Sequence, residues 1–80
     1  MAVYTMHKRR DTHEYHLFEG EMTEPGKCSV PVYSICKKMK KQESAQTVFA
    51  CQSEAYARAN AAEIGRPVCG TCISHLYATY

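Results

Sequence analysis

The chain has 80 residues, enough for one small domain that buries only part of its surface. Leucine, isoleucine, valine and phenylalanine together number only 12, a low count that would indicate disorder if the net charge were high. The net charge is only +2, so we expect a folded chain. No stretch approaches the roughly 18 apolar residues that a membrane-spanning helix needs, so we expect a soluble protein with no membrane partner. A chain with so few large apolar residues can bury only a small core, so it needs further stabilisation in order to fold. A metal ion, a disulfide or a partner chain could supply it.

The first half of the chain predicts a basic arm followed by a small sheet. Residues 1–11 are expected to form an N-terminal arm, and residues 12–52 an antiparallel meander, because the links between strand-like segments are short. The strands are expected where β-branched and aromatic residues concentrate, at residues 13–19, 29–36 and 46–51. Pro25 and Gly26 mark the first turn, over residues 20–27, and Pro31 indicates that the second strand is irregular or lies at an edge.

Residues 53–65 carry the start and stop signals of a helix. Ser53 is a good N-cap, Glu54 suits the positive end of the helix dipole, and Gly65 followed by Pro67 ends the segment. The helix has two alanine-rich faces on opposite sides. One consists of Ala55, Ala59 and Ala62, and the other of Ala57, Ala61 and Ile64.

One face of this helix is expected to pack on the sheet, and the other needs a second cover. The C-terminal segment, residues 66–80, could supply it as a CxxC knuckle leading into a short helix, with apolar residues at helical spacing. A second copy of the chain, forming a homodimer, is the alternative cover. The fold predicted is therefore α+β: a three-stranded antiparallel sheet, one packed helix and a C-terminal knuckle, all in a single domain.

The CxxC motif of Cys69 and Cys72 predicts a structural zinc site. Two cysteines at this spacing can present both sulfurs to one ion, and Gly70 lets the chain turn tightly between them. In the meander, the first strand begins beside the end of the second, which places Cys36 near the motif. The predicted ligands are Cys36, Cys69, Cys72 and one histidine. His75 is assigned as this histidine, His13 and His16 are alternatives, and a four-cysteine variant would use Cys28 or Cys51.

The cysteine count favours metal over disulfides. Five cysteines are an odd number, and the N-terminus lacks a long apolar leader, which together indicate a reducing cytoplasmic location. Cys51, close to Phe49 in a predicted strand, is interpreted as a small buried residue. A thioredoxin-like dithiol is disfavoured because the CxxC follows a helix rather than a strand in a βαβ unit.

Two clusters supply seven of the ten basic side chains. In the meander they lie at one end of the molecule, opposite the acidic residues of the first turn, so the molecule is expected to have a basic pole. Such a pole can contact phosphates, and tyrosines can stack on exposed bases. The residues are Lys8, Arg9, Arg10, Lys37, Lys38, Lys40 and Lys41, with Tyr15, Tyr33, Tyr77 and Tyr80 as the tyrosines. The alternative interpretation of residues 37–41 is a solvated turn that maintains solubility.

No catalytic triad, pair of acids, phosphate loop or HExxH helix is present, so we do not expect an enzyme. The leading hypothesis is a small module, stabilised by a structural zinc ion, that binds nucleic acid through the basic pole. The rival hypothesis is a protein-binding inhibitor or adaptor, of the kind that phages and mobile elements encode, which blocks a host or defence protein.

The segment Phe49-Ala-Cys-Gln-Ser-Glu-Ala55 leads from a predicted strand into an alanine-rich helix, after a basic arm and three strands. This order, over residues 8–64, resembles the arm-type DNA-binding domains of phage integrases. The resemblance implies that the face of the sheet docks in a groove of DNA. It rests on the order of elements, the CxxC extension is not part of it, and we assign no family.

Overall fold

The computed structural model describes residues 2–76 and has an α+β fold of four antiparallel strands and two helices. The α+β class is confirmed, and the prediction of three strands is wrong because a fourth strand forms at the N-terminus. The order in the sheet is β3-β2-β1-β4. The elements are β1 (Ala2–Arg9), β2 (Tyr15–Glu24), β3 (Lys27–Ser29), a 3-10 turn (Lys41–Glu43), β4 (Ser44–Gln52), α1 (Glu54–Ile64) and α2 (Gly70–Leu76). Within the described residues, neither helix is long and apolar enough to cross a membrane.

The predicted N-terminal arm is instead β1, an inner strand paired with β2 on one side and β4 on the other. Five successive residues, 3–7, are buried, because both faces of this strand are covered. The strand-forming residues that precede the basic residues 8–10 account for the difference from the predicted arm. The basic side chains therefore lie at the end of a strand rather than on a free arm.

The predicted strand over residues 29–36 does not form. β3 has only three residues and ends at Ser29, two residues before Pro31, which has no N–H to donate to a sheet ladder. Residues 32–41 then form an irregular hairpin, which we call the basic hairpin. The backbone N–H of Lys41 donates to the Val32 carbonyl at 2.7 Å, and that of Ser34 donates to the Met39 carbonyl at 2.9 Å.

The sheet is curled, and a disulfide joins its two edge strands. Cys28 lies in β3 and Cys51 in β4, with their Cα atoms 5.7 Å apart. β4 follows β1 with several register shifts, and Cys51 itself has a φ of 56°, so the edge bends toward β3. The preference for metal over disulfides is therefore wrong for this pair, and Cys51 is half-buried rather than a core residue.

The helix signals predicted α1 correctly. Ser53 is the N-cap and its Oγ accepts from the Tyr56 backbone N–H at 3.2 Å, while Gly65 ends the helix with a φ of 81°. One of the two predicted alanine faces packs into the core, through Ala57 and Ala61. The core cluster consists of Tyr4, Met6, Leu17, Phe49, Ala57, Ala61, Val68, Cys72 and Leu76.

The opposite face of α1, with Ala55, Ala59 and Ala62, is exposed. The short C-terminal helix predicted after the CxxC is present as α2, and it contributes Cys72 and Leu76 to the core. It contacts α1 on one side and β2 on the other. Tyr77 and Tyr80, which the prediction placed on the same helix, lie outside the described residues.

Candidate metal centre

The free edge of β2 brings the CxxC motif to the sheet. Because β3 pairs only with the far end of β2, the first residues of β2 have no strand on that side. The Tyr15 backbone N–H donates to the Pro67 carbonyl at 2.8 Å, and the Cys69 N–H donates to the Tyr15 carbonyl at 2.8 Å. These two bonds hold the first cysteine of the motif against the start of β2, and the second enters α2.

The basic hairpin occupies the next position along the same edge. The Ile35 backbone N–H donates to the Leu17 carbonyl at 2.8 Å, which places Cys36 beside β2. His16 lies between Tyr15 and Leu17, the two residues whose outward-facing backbone groups make these contacts. Three separate segments of the chain therefore meet around the His16 side chain.

Four side chains converge there and could hold a metal ion. The ligand atoms of His16, Cys36, Cys69 and Cys72 all lie within 4.8 Å of one another. The His16 Nδ1 atom is 3.3 Å from the Cys36 Sγ and 3.8 Å from the Cys72 Sγ. In a tetrahedral zinc site, bond lengths of about 2.0 Å to nitrogen and 2.3 Å to sulfur require a nitrogen–sulfur separation of about 3.5 Å. The observed distances are compatible with zinc.

The orientation of His16 is also that of a metal ligand. Its side chain is only 1% exposed, and its Nδ1 atom points at the sulfurs. Its other nitrogen, Nε2, is buried and has no hydrogen-bond partner among the described residues, although the Glu14 Oε1 atom is 3.6 Å away. A metal on Nδ1 leaves the proton on Nε2, directed toward a carboxylate, which is the usual outer partner of a metal-bound histidine.

The thiols of Cys36 and Cys72 differ in acidity. Burial by itself would raise the pKa of Cys36, but hydrogen bonds from the Ser34 hydroxyl and from backbone and side-chain neighbours lower this pKa to about 6. The Ser34 Oγ is 3.2 Å from the Cys36 Sγ. Burial raises the pKa of Cys72 to about 12. One thiolate is thus available near neutral pH, whereas a metal ion would have to displace the proton of Cys72.

The structure brings together three of the four predicted ligands, Cys36, Cys69 and Cys72, and places His75 outside their group. The His75 Nε2 atom instead lies 3.2 Å from the Glu19 Oε2 atom, because α2 turns that ring away from the cysteines toward β2. His13 is exposed in the turn before β2, with a φ of 61°. Among the histidines that the sequence left open, His16 is the one in the group. The sequence feature that could have indicated a buried His16 is its position directly before two apolar strand residues, Leu17 and Phe18.

Cys28 and Cys51 are unavailable as ligands because they form the disulfide. They lie near the opposite end of β2: Cys28 pairs with Met22, six residues beyond His16. At about 3.3 Å per residue this separation is about 20 Å along the strand. The four-cysteine variant of the predicted site therefore does not form.

The two basic segments do come together, next to Cys36. The Arg9 Nη1 atom donates to the Lys38 carbonyl at 3.3 Å, and the Arg10 Nη2 atom donates to the Gln42 carbonyl at 3.1 Å. Arg9 is 23% exposed and its charge is matched by Asp11 at 2.8 Å and Glu43 at 3.0 Å. Within residues 2–76, the other six predicted cations form no ion pair with a carboxylate. They are Lys8, Arg10, Lys37, Lys38, Lys40 and Lys41.

Comparison of the chain with protein-family models, with curated proteins and with solved structures finds no match.

Proposed function

We propose that this protein is a small, non-enzymatic binding module in which a structural zinc ion holds a basic surface in place for contact with nucleic acid. The observation that carries the proposal is the convergence of His16, Cys36, Cys69 and Cys72 within 4.8 Å, at the turn of the basic hairpin. Three cysteines and one histidine are a common ligand set of closed structural zinc sites.

The need for a cross-link supports the zinc assignment. The ligands come from β2, from the basic hairpin and from the turn and helix at the C-terminus, which are joined by a few backbone hydrogen bonds and by contacts in the small core. A metal ion would join these three segments at one point. Because the ligands come together only in the folded chain, the free energy of metal binding would add to the free energy of folding.

The charge distribution supports nucleic acid as the partner. Cys36 directly precedes Lys37 and Lys38, so a metal ion at Cys36 would fix the start of the lysine-rich turn. The six cations without carboxylate partners lie on this hairpin and on the neighbouring end of β1, whereas Arg9 is neutralised. Phosphate contacts from such residues contribute affinity without requiring a particular base sequence.

Native mass spectrometry of the full chain, with and without a chelator, tests the metal. We expect one zinc ion per chain, lost on chelation, and the same spectrum counts the subunits. A chain that carries no metal after expression in zinc-supplemented medium, and takes up none on titration, would contradict the zinc assignment.

Fluorescence anisotropy with a labelled oligonucleotide, at a series of salt concentrations, tests the partner. If about five cations meet phosphates of duplex DNA, the slope of log K against log salt should be about −4.5. The double substitution Lys38→Glu and Lys41→Glu should weaken binding and flatten this slope. The control is Lys27→Glu, because Lys27 pairs with Glu24 across the turn between β2 and β3. A slope near zero in the unmodified protein would overturn this function and leave the protein-binding inhibitor or adaptor as the alternative.

A further inference from the structure

The basic hairpin presents one aromatic ring outward. Tyr33 and Lys40 face each other in an antiparallel bridge, between the two backbone hydrogen bonds that close the hairpin. Their neighbours Ser34 and Met39 are buried, so the alternation of an extended chain directs Tyr33 and Lys40 to the opposite, outer side. Tyr33 is 47% exposed although its ring is large and mostly apolar.

The surroundings of this ring are those of a stacking site. The Lys40 Nζ atom lies 5.9 Å from the centroid of the Tyr33 ring, within the range of a cation–π contact. Lys37, Lys38 and Lys41 belong to the same hairpin, and all three are exposed. An exposed aromatic ring with cations around it is the arrangement by which proteins hold single-stranded nucleic acid, with a base on the ring and phosphates on the cations.

Within residues 2–76, the other tyrosines do not share this arrangement. Tyr4 is buried, and Tyr15 is half-buried with the Lys8 Nζ atom 5.8 Å from its ring centroid. Tyr56 is 43% exposed, but it lies on α1 and its ring packs edge-on against Phe49. Tyr33 is thus the described tyrosine that combines exposure with a lysine-rich segment.

We propose that the basic hairpin binds single-stranded nucleic acid by stacking one unpaired base on Tyr33, with the hairpin lysines at the adjacent phosphates. This inference rests on the proposed function and adds to it a preference for unpaired strands over the duplex, because phosphate contacts are available in both. A base within a duplex already has both of its faces stacked on its neighbours, so it cannot lie on the Tyr33 ring without leaving the helix.

The zinc-loaded full chain, titrated with labelled oligothymidylate and with the matching duplex, tests this proposal. Loss of stacking by Tyr33→Ala should weaken binding to the single strand by about 5- to 150-fold, the equivalent of about 1–3 kcal/mol, and leave binding to the duplex unchanged. Tyr33→Phe retains the ring and should bind nearly as the unmodified chain does. Tyr56→Ala is the matched control for loss of an exposed tyrosine, and it should leave the affinity unchanged.

The chain contains no tryptophan, so Tyr33→Trp introduces a single fluorescent reporter at this position. We expect the single strand to quench its emission and the duplex to leave it unchanged. If the single strand binds but Tyr33→Ala keeps full affinity and the tryptophan is not quenched, stacking on Tyr33 is wrong while the proposed function survives. If neither the single strand nor the duplex binds, both proposals are overturned.

Discussion

The molecule has two sites where cysteines gather, and they differ in how many segments each one joins. At one end of β2, the disulfide of Cys28 and Cys51 links the two edge strands of a curled sheet. At the other end, His16 and three cysteines from two further segments form the candidate metal centre. Each site is accompanied by a non-glycine residue in the left-handed region, Cys51 at φ 56° and Lys37 at φ 63°. Cysteines are thus bonded to each other at one end of β2 and gathered as free thiols around a histidine at the other.

The two sites should also respond to different reagents. A disulfide stabilises mainly by restricting the unfolded chain, and it is removed by reduction. A structural metal contributes its binding free energy only in the folded state, and it is removed by chelation. Reduction and chelation therefore distinguish the contribution of one site to stability from that of the other.

The largest effect is expected from loss of the metal. Chelation, or the substitution Cys72→Ser, should unfold the chain, because structural zinc can supply about 10 kcal/mol or more of folding free energy. Thermal unfolding followed by circular dichroism, with and without chelator, measures this. Chelation of the unmodified chain is essential because Cys72 is also a core residue, and serine would weaken its packing.

The matched control is the double variant Cys28→Ser and Cys51→Ser, which should still bind one metal ion per chain. A chelated protein that melts at the same temperature as the untreated protein would show that the cluster contributes nothing to stability.

A smaller effect is expected from loss of the disulfide. The two cysteines are 23 residues apart in the sequence, and closing a loop of this length should contribute about 3 kcal/mol. The Cys28→Ser and Cys51→Ser variant, in the presence of zinc, should lose about this amount in urea unfolding. Reduction of the unmodified protein should have the same effect and none on the variant. If reduction lowers the stability of both proteins equally, the loss arises elsewhere, at the metal-site thiols.

A substitution of Glu14 tests whether its carboxylate orients the His16 ring for metal binding. Its Oε1 atom lies 3.6 Å from the buried Nε2 atom of His16, on the side away from the sulfurs. Because such partners orient the histidine, Glu14→Gln should weaken metal affinity by about 10- to 100-fold in a competition with a chelator. Glu24→Gln, at the end of β2 that lies far from His16, should leave metal affinity unchanged. Equal affinities in the two variants would remove Glu14 from the site.

The smallest expected effect belongs to Tyr4, a core residue of β1 whose contribution requires neither metal nor disulfide. Its hydroxyl donates to the Glu19 Oε2 atom at 3.0 Å, and burial together with this bond raises the pKa of Tyr4 to about 12. Near neutral pH, Tyr4→Phe should cost about 1 kcal/mol in the free energy of unfolding.

The pH dependence of that difference has a definite sign. Between the ordinary pKa of 10.0 and about 12, the unfolded state loses the Tyr4 proton before the folded state does. The contribution of Tyr4 to stability is therefore complete below pH 10 and decreases as the pH rises through this window. Urea unfolding of both proteins should show the difference between them narrowing above pH 10. A difference that stays constant or widens would contradict the assigned shift.

Local signals in the sequence predicted local structure well. Ser53, Gly65 and Pro67 defined α1 because capping and helix termination depend on neighbouring residues. The CxxC spacing identified Cys69 and Cys72 for the same reason. The N-terminal arm was predicted wrongly because β1 becomes a strand only through pairing with distant segments. The second strand was predicted wrongly because the residues after Pro31 make single hydrogen bonds to β2 rather than a strand ladder.

The sequence by itself determined the class of fold, the α1 helix, the cysteine pair at the C-terminus and the basic segments, all of which depend on residue type and short spacing. The tertiary structure decided which histidine joins the cysteines, which cysteines pair with each other, and that Arg9 is neutralised while its neighbours are not. The physical reason is separation along the chain. His16, Cys36 and Cys72 meet only because one free strand edge accepts hydrogen bonds from two remote segments, an arrangement that no local pattern encodes.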